Sequence, residues 1–148
     1  MINEAVGLEI EVYPTKVTKE TDLDLTGNTI ILNMVDNIES RKEIFNMLRG
    51  LPVKMIDGRM GGEGWQILIC DLSDEVSCED YEKTLQGEFK EMPCGENAII
   101  YSVVNQVSEV VNIVKKIIKK QPIPIMVRRK MTNYQILIRT QEVQIWKL

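Results

Sequence analysis

The sequence predicts an α/β fold in which a β-sheet lies between layers of helices. Residues 29–35 form an almost unbroken apolar run, which is typical of a central parallel strand that is covered on both faces. Residues 97–120 carry apolar side chains at helical spacing and are stopped by Pro122. Residues 53–57 and 65–72 are predicted to be strands, and their short connection favours an antiparallel pair.

A strand, a turn and a helix within residues 29–48 form the segment on which the rest of the prediction depends. Asp36 and Asn37 end the apolar run with turn chemistry, and apolar residues at helical spacing then continue to a stop near Gly50. From the residues alone, Asp36 and Asn37 are a strand-ending turn and a helix cap. Acidic and amide side chains at the carboxyl end of a buried parallel strand also lie where open α/β sheets bind ligands, so both interpretations are open.

Shorter patterns predict the remaining elements. The glycines between residues 58 and 64 match no phosphate-binding loop and are interpreted as a hairpin turn. Five further elements are expected, a short helix at 80–85 and strands at 8–13, 125–131, 134–140 and 143–146.

Composition indicates one globular domain, residues 1–148, with 44% hydrophobic and 27% charged residues. No signal-peptide pattern and no membrane span is expected, and the predicted location is cytoplasmic. The three cysteines have no C-x-x-C spacing and the chain has no histidine, so no zinc site is expected. Free thiols in a reducing compartment are the simplest interpretation of the cysteines.

Charge is distributed unevenly along the chain. Residues 1–109 contain 9 Lys and Arg against 21 Asp and Glu, whereas residues 110–148 contain 9 against 1. The basic part could form an anion-binding face, but no aromatic residues alternate with its charges as single-stranded nucleic acid would require. We therefore interpret it as a solvated surface whose lysines complement a helix dipole, and expect no nucleic-acid partner.

A family resemblance is carried by Val35-Asp36-Asn37 followed by Arg41, which resembles the D-N-x-x-x-R signature of the ThiF, MoeB and ubiquitin-activating-enzyme superfamily. Four more stretches resemble this family in the same order, namely residues 3–17, residues 56–63, residues 81–85 followed by Pro93-Cys94, and residues 97–124. The resemblance covers only the second half of the family domain. It implies a Rossmann-like three-layer sheet that lacks the amino-terminal glycine-rich nucleotide-binding βαβ half and carries an antiparallel strand extension.

The resemblance also implies a chemistry, since these proteins adenylate the C-terminal carboxylate of ubiquitin-like or sulfur-carrier proteins. Asp36 and Asn37 would then bind Mg-ATP, with Asp36 as the metal ligand, and Arg41 would order the motif. Arg59 would guide the carrier's tail together with the crossover at 73–96. Cys94 is a candidate thioester nucleophile, because it precedes a predicted helix start that would lower its thiol pKa, although a free thiol remains the alternative.

Two function classes remain open at this stage. The chain is either the carboxyl half of an adenylyltransferase, with a separate or missing amino-terminal half, or a degenerate non-catalytic module for protein binding or self-association. Mg-ATP is expected only when the missing half is supplied. An incomplete sheet would expose apolar surface and a strand edge, so we expect a homodimer or a complex with the missing half.

Overall fold

The computed structural model describes residues 14–18, 21, 23, 25–61, 64–86, 100–130 and 135–139. Within these residues the chain forms five strands and three helices, which confirms the predicted α/β class. In chain order they are β1 (Ile30–Asn33), α1 (Ile38–Leu48), β2 (Lys54–Gly61), β3 (Gly64–Asp71), α2 (Glu75–Lys83), α3 (Ile100–Ile118), β4 (Met126–Lys130) and β5 (Gln135–Arg139).

The strands form one mixed sheet in the order β1-β2-β3-β4-β5. β1 is parallel to β2, because helix α1 returns the chain to the same end of the sheet. The other neighbours are antiparallel, and the predicted antiparallel pairing of β2 with β3 is confirmed. At the carboxyl end of β1, Asn33 pairs with Asp57, which itself pairs with Leu68.

Two apolar cores lie on opposite faces of the sheet. Helices α1 and α2 pack on one face around Phe45, Met55 and Tyr81. Helix α3 packs on the other face, where Ile67 and Ile113 are fully buried. The sheet therefore has a helix layer on each face in the described part of the chain.

The prediction that β1 is covered on both faces is wrong. β1 stands at the end of the strand order among the described residues, and the Leu32 side chain is 51% exposed. The reason is the position of α3, which packs on β2 and β3 and leaves this part of β1 uncovered. An apolar run indicates that side chains favour burial, but it does not show whether a neighbouring element covers them.

Several boundaries differ from the predicted ones. The helix expected at 80–85 is α2, which begins earlier because the side chain of Asp74 accepts a hydrogen bond from the Val76 amide, 3.2 Å away. Strand β2 continues beyond residue 57 to Gly61. The long helix spans Ile100–Ile118 and ends two residues before the predicted end at 120, while its predicted start at 97 lies outside the described residues. The strands expected at 8–13 and 143–146 lie outside the described residues.

No helix in the described part is long and apolar enough to cross a membrane.

Candidate functional site

The two polar residues in the turn between β1 and α1, Asp36 and Asn37, have different roles. Asn37 is the N-cap of α1, and its Oδ1 accepts a hydrogen bond from the Ser40 amide at 2.7 Å. Its Nδ2 donates to Oδ1 of Asp36 at 3.0 Å. Asp36 is exposed and does not cap the helix. The cap interpretation is therefore confirmed for Asn37, while the Asp36 carboxylate is presented to solvent at the carboxyl end of β1.

Arg41 holds this turn against the sheet. It lies one turn into α1 and is buried, with its guanidinium directed at β2. Nη2 donates to the carbonyl of Val35, immediately before Asp36, and to the carbonyl of Gly58 at 3.2 Å. Nη1 donates to Oδ1 of Asp57. One side chain thus fixes the backbone before Asp36 relative to the neighbouring parallel strand.

Asp57 is the centre of a buried polar cluster to which the sequence alone assigned no role. Its side chain is fully buried on β2, where Oδ2 accepts from Nε of Arg59 at 2.7 Å and from the Tyr81 hydroxyl at 2.8 Å. The spacing of Asp57 and Arg59 was a usable signal, because residues two apart in a strand share a face. We call Arg41, Asp57, Arg59, Tyr81 and Thr84 the Asp57 cluster.

Arg59 is bound within this cluster. Its Nη1 donates to the Thr84 carbonyl and its Nη2 to the Thr84 hydroxyl, each at 3.0 Å. The guanidinium carbon lies 5.6 Å from the centroid of the Tyr81 ring, within cation–π range. The Arg59 side chain is only 3% exposed. These contacts join β2 to the end of α2, and guidance of a carrier's tail by Arg59 stays a prediction.

The charges of the Asp57 cluster are unequal, since two buried guanidiniums share one buried carboxylate. Removing charges from water is unfavourable unless they are paired and hydrogen-bonded, and here carbonyl oxygens complete the set of acceptors. Burial, followed by the charge of Asp57, raises the pKa of Tyr81, so its hydroxyl stays protonated and donates to the carboxylate. The cluster therefore has a structural role, which is to hold the turn between β1 and α1 against the sheet.

The described cysteines are free thiols, as predicted, and the structure buries both. Burial raises the pKa of Cys70 to about 12. Burial also raises the pKa of Cys78, opposed by the hydrogen bond with Cys70 and the charge of Arg49 and assisted by the charges of Glu75 and Asp74. The Cys78 sulfur lies 3.6 Å from the carbonyl oxygen of Leu72. Both thiols stay protonated at neutral pH and are poor nucleophiles. Cys94, the candidate thioester residue, lies outside the described residues.

Metal ligands are sparse in the described part of the chain, where no group of three or more acidic, cysteine or histidine side chains could hold an ion. Asp36 supplies one exposed carboxylate, so a magnesium ion there would need further oxygen ligands beyond this residue. The structure thus brings Asp36, Asn37 and Arg41 together at the carboxyl end of β1. Arg59 is buried on the neighbouring strand β2, where it pairs with Asp57.

Comparison with known proteins gives no assignment. No protein-family model matches the chain, and no curated protein matches it significantly.

Proposed function

We propose that this chain is the carboxyl half of a ThiF-like adenylyltransferase with a Rossmann-like sheet, acting on the C-terminus of a ubiquitin-like or sulfur-carrier protein. A separate glycine-rich half would complete it. The observation that carries the proposal is the exposed carboxylate of Asp36 at the carboxyl end of a parallel strand pair. Ligands of open α/β sheets bind at this end.

The proposal is supported by the fact that Asn37 and Arg41, and not Asp36, stabilise the turn. Asn37 caps α1 and Arg41 fixes the backbone before the turn, so neither task requires the charge of Asp36. A carboxylate whose charge has no structural task and that faces solvent can bind a hard cation such as Mg²⁺. The structural role of Arg41 also agrees with the ordering role that the family resemblance implies for it.

The remaining parts of an adenylation site come from the proposed partner. Glycine-rich turns let backbone amides approach phosphates at a helix N-terminus, and basic groups of that half would stabilise the charge that develops during transfer. We therefore expect no measurable ATP binding by the chain alone. Calorimetric titration of the chain with Mg-ATP tests this, and micromolar binding would show that no separate half is required.

The decisive test is ATP–pyrophosphate exchange by the chain co-expressed with the glycine-rich βαβ polypeptide encoded nearest to it and a carrier protein from the same source. Asp36→Asn keeps the shape of the side chain and removes its charge. We expect exchange to fall about 100-fold or more, the order of magnitude for losing a charge-stabilising group. The circular dichroism spectrum and melting temperature should not change.

The matched control is Glu39→Gln, which removes another exposed carboxylate from the first turn of α1. It should leave exchange unchanged, because Glu39 lies within α1, after the N-cap, and not in the turn at the carboxyl end of β1. Equal exchange rates for the wild type and Asp36→Asn would contradict the proposed role of Asp36.

A second candidate function is a non-catalytic ThiF-like module that binds protein. The observation that favours it is the exposed apolar surface of α3, where Val104 is 59% exposed, next to the exposed Leu32 and Met34. A stable complex with the co-expressed half that shows no exchange activity would favour this second function over the first.

A further inference from the structure

Helix α3 carries a row of exposed apolar side chains that we call the outer stripe. Its members are between 54% and 78% exposed, and they are Ile100, Val104, Val107, Val111 and Ile118. They follow one another at alternating steps of four and three residues, with the half-buried Val114 in the remaining position. This is the heptad spacing of a helix that packs along another helix, and β-branched residues suit such a seam.

The outer stripe differs from the face of α3 that packs on the sheet. That second face consists of Ser102, Gln106, Val110 and Ile113, all of which are buried. Gln106 anchors it, because its Nε2 donates to the carbonyl of Arg59 at 3.0 Å. The sequence predicts apolar side chains at helical spacing along this helix, and the structure leaves the five of the outer stripe exposed while Val110 and Ile113 are buried.

The outer stripe lies on the side of α3 that is nearer to β1. On the opposite side, Arg129 of β4 donates from Nη1 to Oδ1 of Asn105 at 2.6 Å. On the β1 side, Met34 lies so close to Gly58 that a Cβ added there would be 2.5 Å from the Met34 sulfur, and 3.3 Å from Nε2 of Gln106. Met34 therefore lies beside α3.

Leu32 extends this surface along β1. It is 51% exposed and pairs with Ile56, which belongs to the core beneath α3, so it lies on the same face of the sheet. Met34, which is 47% exposed, continues the surface towards the turn. We call the outer stripe together with Leu32 and Met34 the α3–β1 surface.

We propose that a second copy of this chain covers the α3–β1 surface, with the two α3 helices packed antiparallel about a twofold axis. Complete burial removes about 60–120 Å² of apolar area per aliphatic side chain. At the observed exposures the seven side chains supply on the order of 400 Å² per copy. A standard interface of about 800 Å² per partner, somewhat more than half of it apolar, needs a similar amount.

The charges on α3 select the antiparallel arrangement. The outer stripe contains no charged residue, whereas Lys115 and Lys116 lie in the last turn of α3 and Lys119 and Lys120 follow it. A parallel pair would place these two lysine groups side by side. An antiparallel pair separates them by most of the helix length, about 28 Å for 19 residues, which exceeds the screening length at physiological salt.

The antiparallel arrangement also makes the surface self-complementary, as a twofold interface requires. Val107 of one copy would face Val111 of the other, and Val104 would face Val114. This inference concerns the chain on its own and does not depend on the adenylation role. A glycine-rich half that docked beside β1 would compete with the second copy for the same surface.

Sedimentation equilibrium of the full chain at about 1–100 µM tests the proposal. We expect a monomer–dimer equilibrium in the micromolar range, and Val107→Glu should weaken dimerisation about 100-fold, because it would bury two unpaired charges. Asn112→Glu adds the same charge at an exposed position outside the stripe and should leave the equilibrium unchanged. Circular dichroism of each variant confirms that it is folded.

The orientation is tested by a charge swap. In an antiparallel pair, Val107→Glu combined with Val111→Lys places opposite charges face to face twice, so the double variant should dimerise at least about tenfold more tightly than either single variant. A parallel pair would set like charges against each other. A double variant no better than the singles would overturn the antiparallel arrangement. A monomeric wild type at 100 µM, or a dimer that Val107→Glu leaves intact, would overturn the proposal itself.

Discussion

Replacing Asp57 by asparagine should destabilise the fold more than any exposed substitution considered above. Asp57 is the only carboxylate in the Asp57 cluster, and it accepts hydrogen bonds from Arg41, Arg59 and the Tyr81 hydroxyl. Asp57→Asn keeps the volume but leaves two buried guanidiniums without a counter-charge. Removing one partner of a buried ion pair costs about 3–5 kcal/mol, a large part of the 5–15 kcal/mol that stabilises a typical domain.

Urea unfolding followed by far-ultraviolet circular dichroism measures this loss. With a slope of about 1–3 kcal/mol per molar urea, the midpoint should fall by at least about 1 M. Tyr81→Phe removes only one donor to the carboxylate and should cost about 1.5–3 kcal/mol. Glu75→Gln serves as the surface control, because the side chain of Glu75 is 68% exposed in its ion pair with Arg49, and the midpoint should barely move.

The result that would refute the reasoning is an equal shift for Asp57→Asn and Glu75→Gln. It would mean that the guanidiniums of Arg41 and Arg59 are satisfied without the carboxylate, by their carbonyl acceptors or by water. A large loss for Asp57→Asn with a smaller loss for Tyr81→Phe would instead establish Asp57 as the counter-ion of the cluster.

Asn37→Ala should lower the free energy of unfolding by about 1 kcal/mol, because it removes the cap of α1, whereas Asp36→Asn should leave it unchanged; urea titration of both variants checks this. Cys70 and Cys78 should stay unmodified by iodoacetamide at pH 8 in the folded chain and react after unfolding, as peptide mass spectrometry would show. Above neutral pH, stability should fall as the pH rises through the unfolded-state cysteine pKa of about 8.5, since the pKa values of Cys70, Cys78 and Tyr81 are raised by folding and the unfolded chain loses these protons first. Thermal unfolding at pH 7 to 11 measures this, and a flat profile would contradict the buried, protonated state of these groups.

Local patterns were sufficient for the elements whose side chains act within a few residues. The helical spacing in α3, the antiparallel hairpin of β2 and β3 and the cap of α1 all follow from neighbours in sequence. Asn37 could be predicted as a cap because its partner, the Ser40 amide, is three residues away. Gly50 could likewise be predicted as a helix stop, and its φ of 86° shows why glycine suits that position.

Features that depend on partners distant in sequence could not be predicted in this way. Asp57 resembled the polar end of a short strand until the fold brought Arg41 and Tyr81 to it from two different helices. The burial of Arg59 could not be predicted either, because it depends on a contact with Thr84, 25 residues away. Alternation along a strand shows which residues share a face, but the elements packed on that face decide whether a charge is paired or exposed.

The sequence by itself determined the α/β class, the location of α1 and α3 and the turn that carries Asp36 and Asn37, because these follow from periodicity and local hydrogen bonding. Only the tertiary structure decided that β1 ends the described strand order, that α3 exposes half of its apolar surface and that Asp57 joins two arginines. Burial and ion pairing are properties of what lies next to a residue in space, and a single sequence does not record those neighbours.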